Sequence, residues 1–273
     1  MRIKFLGTGA SEGIPSLFCN CSVCKNARKE GGRELRSRSG VLLEDDLLID
    51  FSSDMLMNAM RYGIDCTAIR NILISHSHSD HLHVNDIGPQ RYKIEEQDVL
   101  PLHIYSNNEV LNAIKLSWHS LCENGFIQLH EIKVGTTVSV GEYKVTVFLS
   151  QHMVMEESMV YLIEKDGKRY LHLYDTGEGV DSVVFYLQEQ GITVDAVAMD
   201  STYGLIEREY FGHMNLNQVI RLSERFRKIG VFTPSTQICA THICHWGGSY
   251  KDLQEKASEY GIRIAYDGME ITI

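Results

Sequence analysis

Four apolar, strand-like runs in this sequence end on a histidine or an aspartate. NILIS runs into His76, KVTVFLSQ into His152, YLHLY into Asp175 and QICAT into His242. Ligands of α/β sheets gather beyond the carboxyl ends of strands, where loops and exposed polar side chains are available. Four strand ends carrying metal-type side chains therefore predict one shared site, and they require a sheet whose strands end together at one edge.

The rest of the chain fits that demand. Strand-like runs are expected over Ile3–Leu6, Gly40–Leu43, Leu47–Asp50, Asn71–Ile74, Leu102–Tyr105, Lys144–Leu149, Met159–Ile163, Tyr170–Tyr174, Ala196–Met199 and Ile238–Ala240. Amphipathic helices are expected over Ser53–Tyr62, Asn108–Glu123, Asp181–Gln190, Leu216–Lys228 and Lys251–Tyr260. Four of these five stop at or near a glycine, Gly63, Gly191, Gly230 or Gly261. Glu142 and Tyr143 after Gly141 read as a hairpin turn. Strands and helices alternating without a linker or a low-complexity stretch imply a layered α/β fold. The expected organisation is a single domain over 1–273.

Composition narrows the function. Of 273 residues 44% are hydrophobic, enough for a large core, and the net charge is −10. So acidic a chain argues against stable nucleic-acid binding, which needs clustered Lys and Arg. Apolar runs stay far below the roughly 20 residues of a membrane span. MRIKFLGTGA has no export-signal pattern. Seven cysteines, three of them within six positions, suit a metal site in a reducing, cytoplasmic setting better than a disulfide framework.

The segment Ser75-His76-Ser77-His78-Ser79-Asp80-His81 holds four ligand-type side chains in six positions. Imidazoles and carboxylates together suit Zn, Mn or Fe. An extended segment puts His76, His78 and Asp80 on one side, and small Ser77 and Ser79 let His81 come round through a turn. A second cluster, Cys19-Asn20-Cys21-Ser22-Val23-Cys24, has the soft ligands of a structural zinc, with the fourth position open to Cys239, Cys244 or His245. Were His242 and His245 in one extended stretch, they would face opposite ways. Gly7-Thr8-Gly9-Ala10-Ser11-Glu12-Gly13 reads as a loop near the metals rather than a dinucleotide site. Arg33, Arg36 and Arg38 read as a solvated basic face, with phosphate contact the alternative. His83, His103, His119, His130 and His172 read as structural or surface residues, and Trp118 as core.

The H-x-H-x-D-H segment, the FLGTG opening at residues 5–9, His152, Asp175 and His242 together resemble the metallo-β-lactamase superfamily. The resemblance implies a four-layer αββα sandwich with two divalent ions. His76, His78 and His152 would hold the first; Asp80, His81 and His242 the second; Asp175 would bridge them. A hydroxide shared by the two ions would be the nucleophile. The cysteine cluster, T-H-I-C-H and the closing Tyr266-Asp267-Gly268-Met269-Glu270 are similar to a narrower branch, the phosphoribosyl cyclic phosphodiesterases of the carbon–phosphorus lyase pathway. That likeness assigns Cys19, Cys21, Cys24 and His245 to a structural zinc in an insert at about 15–38. It also casts His213, in GHMN, as the acid for the leaving oxygen.

The expected activity is hydrolysis of a small cyclic phosphate or cyclic nucleotide, with Asp80 and His213 in the catalytic set. Two other readings stand beside it. One is a nuclease like the tRNA 3′-end processing enzymes, which would need a basic arm not evident over residues 82–150. The other is a non-hydrolytic metal-binding accessory of cofactor biosynthesis. Thioester and lactam hydrolysis share the metal chemistry. Substrate, metal identity and the choice between monomer and homodimer stay open at this stage.

Overall fold

The computed structural model describes residues 1–88 and 100–273, so positions 89–99 of the stretch searched for a basic arm lie outside the described residues. Two seven-stranded sheets form the centre. In chain order the strands are β1 (Arg2–Gly7), β2 (Gly40–Leu43), β3 (Leu47–Ile49), β4 (Asn71–Leu73), β5 (Leu102–Ser106), β6 (Ile127–Glu131), β7 (Thr137–Val140), β8 (Tyr143–Leu149), β9 (Met159–Lys165), β10 (Lys168–Leu173), β11 (Val194–Asp200), β12 (Phe232–Thr241), β13 (Ile262–Ile264) and β14 (Glu270–Thr272). One sheet runs β14-β1-β2-β3-β4-β5-β6 and the other β13-β12-β11-β10-β9-β8-β7.

Alternation along the strands sets the layers. Ile3, Phe5, Val41 and Leu43 meet Tyr143, Val145, Tyr161, Ala196 and Ala198 between the sheets, in one core cluster. Their strand neighbours point outward, because successive side chains of a strand face opposite ways. Leu42, Leu48 and Ile72 pack with Met55, Val110 and Ile114 under the helices α2 (Met55–Tyr62), α3 (Asn108–Ser117) and α4 (His119–Glu123). Val197, Met199 and Leu171 pack with Val183, Leu222 and Leu253 under α5 (Asp181–Glu189), α6 (Leu216–Lys228) and α7 (Tyr250–Ser258). Helix, sheet, sheet, helix is the four-layer αββα sandwich. Helix α6 shows why a helix stays: an Asn215–Gln218 capping box starts it, and Leu216, Val219, Leu222 and Phe226 are buried completely. Each such side chain contributes roughly 1.5–3 kcal/mol.

Some expectations needed correction. The helix expected over Asn108–Glu123 is broken at Trp118 into α3 and α4. The Trp118 indole sits against Gly88, where an added Cβ would lie 2.3 Å from the ring, and its Nε1 donates to the Val84 carbonyl at 2.7 Å. Strands β6, β13 and β14 and helix α1 (Ser22–Glu30) went unforeseen, whereas β7 is the strand that the hairpin turn after Gly141 implies. The arginine run is only in part a solvated face: Arg33 is exposed, Arg38 half-buried and Arg36 buried. Arg36 is 4% exposed, donating to Thr8 Oγ1 at 2.8 Å and the Ala265 carbonyl at 2.6 Å. Arg33 stacks over the Tyr266 ring at 4.2 Å, and Arg38 Nη1 pairs with Asp54 at 3.4 Å. These arginines tie the N-terminal segment to the body of the molecule. Asp267 completes the clasp, accepting from Thr8 N, Thr8 Oγ1, Ser37 N and Ser37 Oγ at 2.6–2.9 Å.

Candidate metal centre

In the first sheet β3, β4, β5 and β6 run parallel; in the second, β10, β11, β12 and β13 do. Their carboxyl ends deliver Asp50, His76, Asp175, Asp200 and His242 to one place. Asp50, Asp175 and His242 each have left-handed backbone, with φ of 62°, 46° and 59°. Non-glycine residues held in that region cost roughly 1–3 kcal/mol each and cluster at functional sites. The left-handed turn at His242 answers the question of its facing. The stretch to His245 is not extended, yet His242 reaches the aspartates while His245 reaches the cysteines.

Two ligand sets share Asp175. His76, His78, His152 and Asp175 form one, and Asp80, His81, His242 and Asp175 the other, each with its ligand atoms within 4.8 Å of one another. Asp175 Oδ2 lies 3.3 Å from His76 Nε2, 3.6 Å from His152 Nε2 and 2.9 Å from His81 Nε2, while Oδ1 lies 3.0 Å from His242 Nε2. His81 Nε2 and Asp175 Oδ1 are buried without a hydrogen bond. Converging imidazoles and carboxylates with unsatisfied buried lone pairs fit divalent cations, because burial without a partner costs free energy. Burial alone would raise the carboxyl pKa values of Asp80 and Asp175. The imidazoles of His81 and His242 outweigh it, holding both well below the carboxylate range. Burial pushes His152 down to about 4, which keeps it neutral, as a ligand must be.

A supporting layer orients these groups. His81 Nδ1 pairs with Asp50 Oδ2 at 2.7 Å, and Ser75 N donates to Asp50 Oδ1 at 2.8 Å. His152 Nδ1 donates to the Gly212 carbonyl at 3.1 Å. Glu156 accepts from Ser77 N at 2.9 Å and Asn107 Nδ2 at 2.8 Å, pinning the H-x-H-x-D-H loop to the β8–β9 loop and to the start of α3. Such partners fix ring orientation and tautomer. Asp200 was not foreseen, nor was Asp50. Both end apolar strand runs, LLI and AVAM, so the strand-end signal that marked Asp175 could have found them.

His213 reaches the same pocket. Its Nδ1 lies 2.8 Å from Asp200 Oδ2 and 3.1 Å from Thr202 Oγ1, and its ring stacks on His242 at 5.8 Å between centroids. Burial would lower its pKa, but Asp200 outweighs burial and holds it at about 9. Asp200 in turn is fixed by the N–H groups of Thr202 at 2.9 Å and Met214 at 3.0 Å.

The cysteine cluster closes on His245, not on Cys239 or Cys244. His245 Nδ1 lies 3.2 Å from Cys19 Sγ and 3.6 Å from both Cys21 Sγ and Cys24 Sγ. Burial raises the Cys21 thiol, yet the Cys24 N–H and His245 outweigh it and bring it to about 6. Cys24 is pushed up to about 12 by burial and by its neighbouring thiols. Cys239 is buried between the sheets.

His172, three residues before Asp175, is structural. Its Nδ1 meets Tyr170 OH at 3.0 Å, its ring stacks on Tyr174, and burial depresses its pKa to about 4. The unfolded chain, near 6.5, binds the proton more readily, so the stability this neutral ring contributes is present above pH 6.5 and lost as pH falls through 4. The span is worth about 3 kcal/mol. Denaturant unfolding of His172→Phe is expected to show a shallower loss of stability between pH 6.5 and 4 than wild type; identical slopes would refute this.

Residues 46–243 match the model of the β-lactamase superfamily domain, and the chain belongs to the metallo-β-lactamase superfamily. Its fold is similar to that of a new diphosphatase from the PhnP family, with a TM-score of 0.77, 20% identity, and coverage of 100% of this chain and 97% of that one. It is also similar to Zn(2+)-bound PqqB from Methylobacterium extorquens, with a TM-score of 0.76 and 17% identity over 100% of both chains. Human tRNase Z, short form, follows with a TM-score of 0.67 and 18% identity over 100% of this chain and 99% of that one. An octanoyltransferase of Porphyromonas gingivalis is 32% identical over 123 residues, 44% of this chain and only 23% of that protein.

Proposed function

We propose that the protein is a metal-dependent phosphodiesterase acting on a small cyclic phosphate or similar compact diester. His76, His78 and His152 would hold one divalent ion, Asp80, His81 and His242 a second, and Asp175 both. When bound, such a pair activates water and withdraws charge from phosphoryl oxygens. The observation that carries the reading is His213, an imidazole facing the pocket beside both ligand sets, with Asp200 fixing its Nδ1. That pairing leaves Nε2 to carry the proton given to a departing oxygen. Thr202 and Asp200 orient His213, while Tyr203 closes the wall beside it. Cys19, Cys21, Cys24 and His245 would hold a structural zinc in a cysteine-rich insert at about 15–38 of one domain.

The net charge of −10, with Arg36 buried in internal contacts and Arg38 paired with Asp54, favours a compact substrate over a nucleic-acid polymer. No helix among the described residues is long and apolar enough to cross a membrane. Three cysteines gathered as metal ligands rather than paired as disulfides support a reducing, cytoplasmic setting.

The test is metal quantification paired with a panel of cyclic phosphates, linear diesters and thioesters, octanoyl thioesters included. Two ions beyond the cysteine-bound one, with turnover of diesters, is the expected result. Turnover of thioesters alone would overturn it and give weight to the likeness to the octanoyltransferase. His213→Ala is expected to keep both ions and slow diesters of poor leaving groups by about 10²–10⁴-fold. Activated aryl diesters should be slowed far less, and equal slowing of both would remove the acid role.

A further inference from the structure

The pocket over the two ligand sets encloses about 420 Å³ and has a second wall, made of Ala10, Ser11, Glu12, Tyr203, Cys244 and Trp246. Among the described residues no lysine or arginine lines it. The nearby arginines back this wall without lining the pocket: Arg38 Nε donates to the Ser11 carbonyl at 3.0 Å, and Arg208 lies over the Tyr203 and Tyr210 rings at 5.4 and 5.9 Å. Positive charge in the pocket thus comes from the candidate metal floor and from His213 beside it. The second wall carries a carboxylate, Glu12.

That carboxylate is held in place. Glu12 Oε1 accepts from the His245 N–H at 3.1 Å, and Oε2 accepts from Ser11 Oγ at 3.2 Å. An ionised carboxylate offers about four lone-pair sites, so free acceptors remain. Trp246, beside it, is 56% exposed and offers a flat apolar face.

Building on the phosphodiesterase reading, we propose that Glu12 is a specificity-determining residue. It accepts hydroxyl hydrogens from the uncharged, polyhydroxylated half of a diester that lies against Trp246, and it repels substrates with a second anionic group. The substrate class is then a sugar or nucleoside diester with a single anionic centre.

The test compares uridine 5′-(p-nitrophenyl phosphate) with the same diester bearing an added 3′-phosphate. Wild type is expected to prefer the first by about tenfold in kcat/KM, the cost of one like-charge juxtaposition of roughly 1.4 kcal/mol. Glu12→Gln keeps an acceptor for the His245 N–H and should narrow the preference to about threefold, while Glu12→Lys should reverse it. Retention of the cysteine-bound metal checks that the wall is intact. A preference unmoved in both variants overturns the proposal.

A second readout needs no turnover. Quenching of tryptophan fluorescence, assigned to Trp246 by its loss in Trp246→Phe, gives affinities for uridine and uridine 3′-monophosphate. Glu12→Lys should tighten the monophosphate about tenfold relative to uridine; unchanged relative affinities overturn the role of Glu12. If no diester is hydrolysed while this shift appears, the reading of the activity fails and the wall assignment stands.

Discussion

Asp175→Ala is expected to lose the paired occupancy of the histidine site and nearly all turnover. Asp175 is the one side chain that both ligand sets share, with Oδ2 toward His76, His81 and His152 and Oδ1 toward His242. Two dications at short range repel strongly, and a bridging carboxylate offsets that repulsion. Removing it leaves three imidazoles on one side and a carboxylate with two imidazoles on the other. A single ion can still bind, but the pair is not held. Charge stabilisation by a metal pair is worth several kcal/mol, so turnover should fall by roughly a thousandfold or more. Asp175→Asn separates charge from shape: it fills the same space and still loses the second ion, while the Ser150 hydroxyl keeps its bond to the backbone carbonyl of residue 175 in either variant. Elemental analysis and turnover on the best diester check this. A variant that keeps two ions in the histidine site would defeat the shared-ligand assignment.

The reach of the sequence has a physical boundary. Central strand stretches such as Met159–Ile163 and Ala196–Met199 are apolar on both faces because both faces are covered, and such runs stand out from local pattern alone. Edge strands do not. β6 alternates Gln128 and His130 with Leu129, and β14 has only Ile271 facing inward, so their identity comes from pairing with distant partners. The same holds for Arg36, whose partners Thr8 and Ala265 lie 28 and 229 residues away. A run of basic residues looks like a solvated face until the chain returns to cover it. The candidate histidine and aspartate ligands were legible because they follow four strand-like runs, with His76, His78, Asp80 and His81 all after the first of them. Their supports were partly so: Asp50 and Asp200 obey the strand-end rule, whereas Glu156 lies in a loop whose role depends on Ser77 and Asn107.

The cysteine cluster provides the second large effect, this time on stability. Cys24→Ser is expected to release the ion of this cluster and to lower the melting temperature steeply. Cys24 is fully buried, its Sγ accepting from the Ser16 N–H at 3.3 Å, in a segment with few apolar contacts of its own beyond Ala27 and Val23. Helix α1 has nine residues, too short to persist alone in water, and its cap is the Cys21 side chain, which accepts from the Cys24 N–H. Its fixation to the second sheet, begun by Ala27 and Val23, is completed by an ion joining three thiolates to His245. Structural zinc binding in small domains is worth about 10–16 kcal/mol. Here the rest of the fold stands without the ion, so only the part spent on ordering this segment is lost, at least about 4 kcal/mol. For a chain of this size that lowers the melting temperature by roughly 10 °C. His245 also donates its N–H to Glu12, so loosening the cluster should raise KM more than it lowers kcat, a split that a remote destabilisation would not give. Cys66→Ser, at an exposed thiol, is the control and should change neither melting nor metal content. A Cys24→Ser protein that keeps its full complement of metal, or melts with wild type, would show that these four side chains hold no ion.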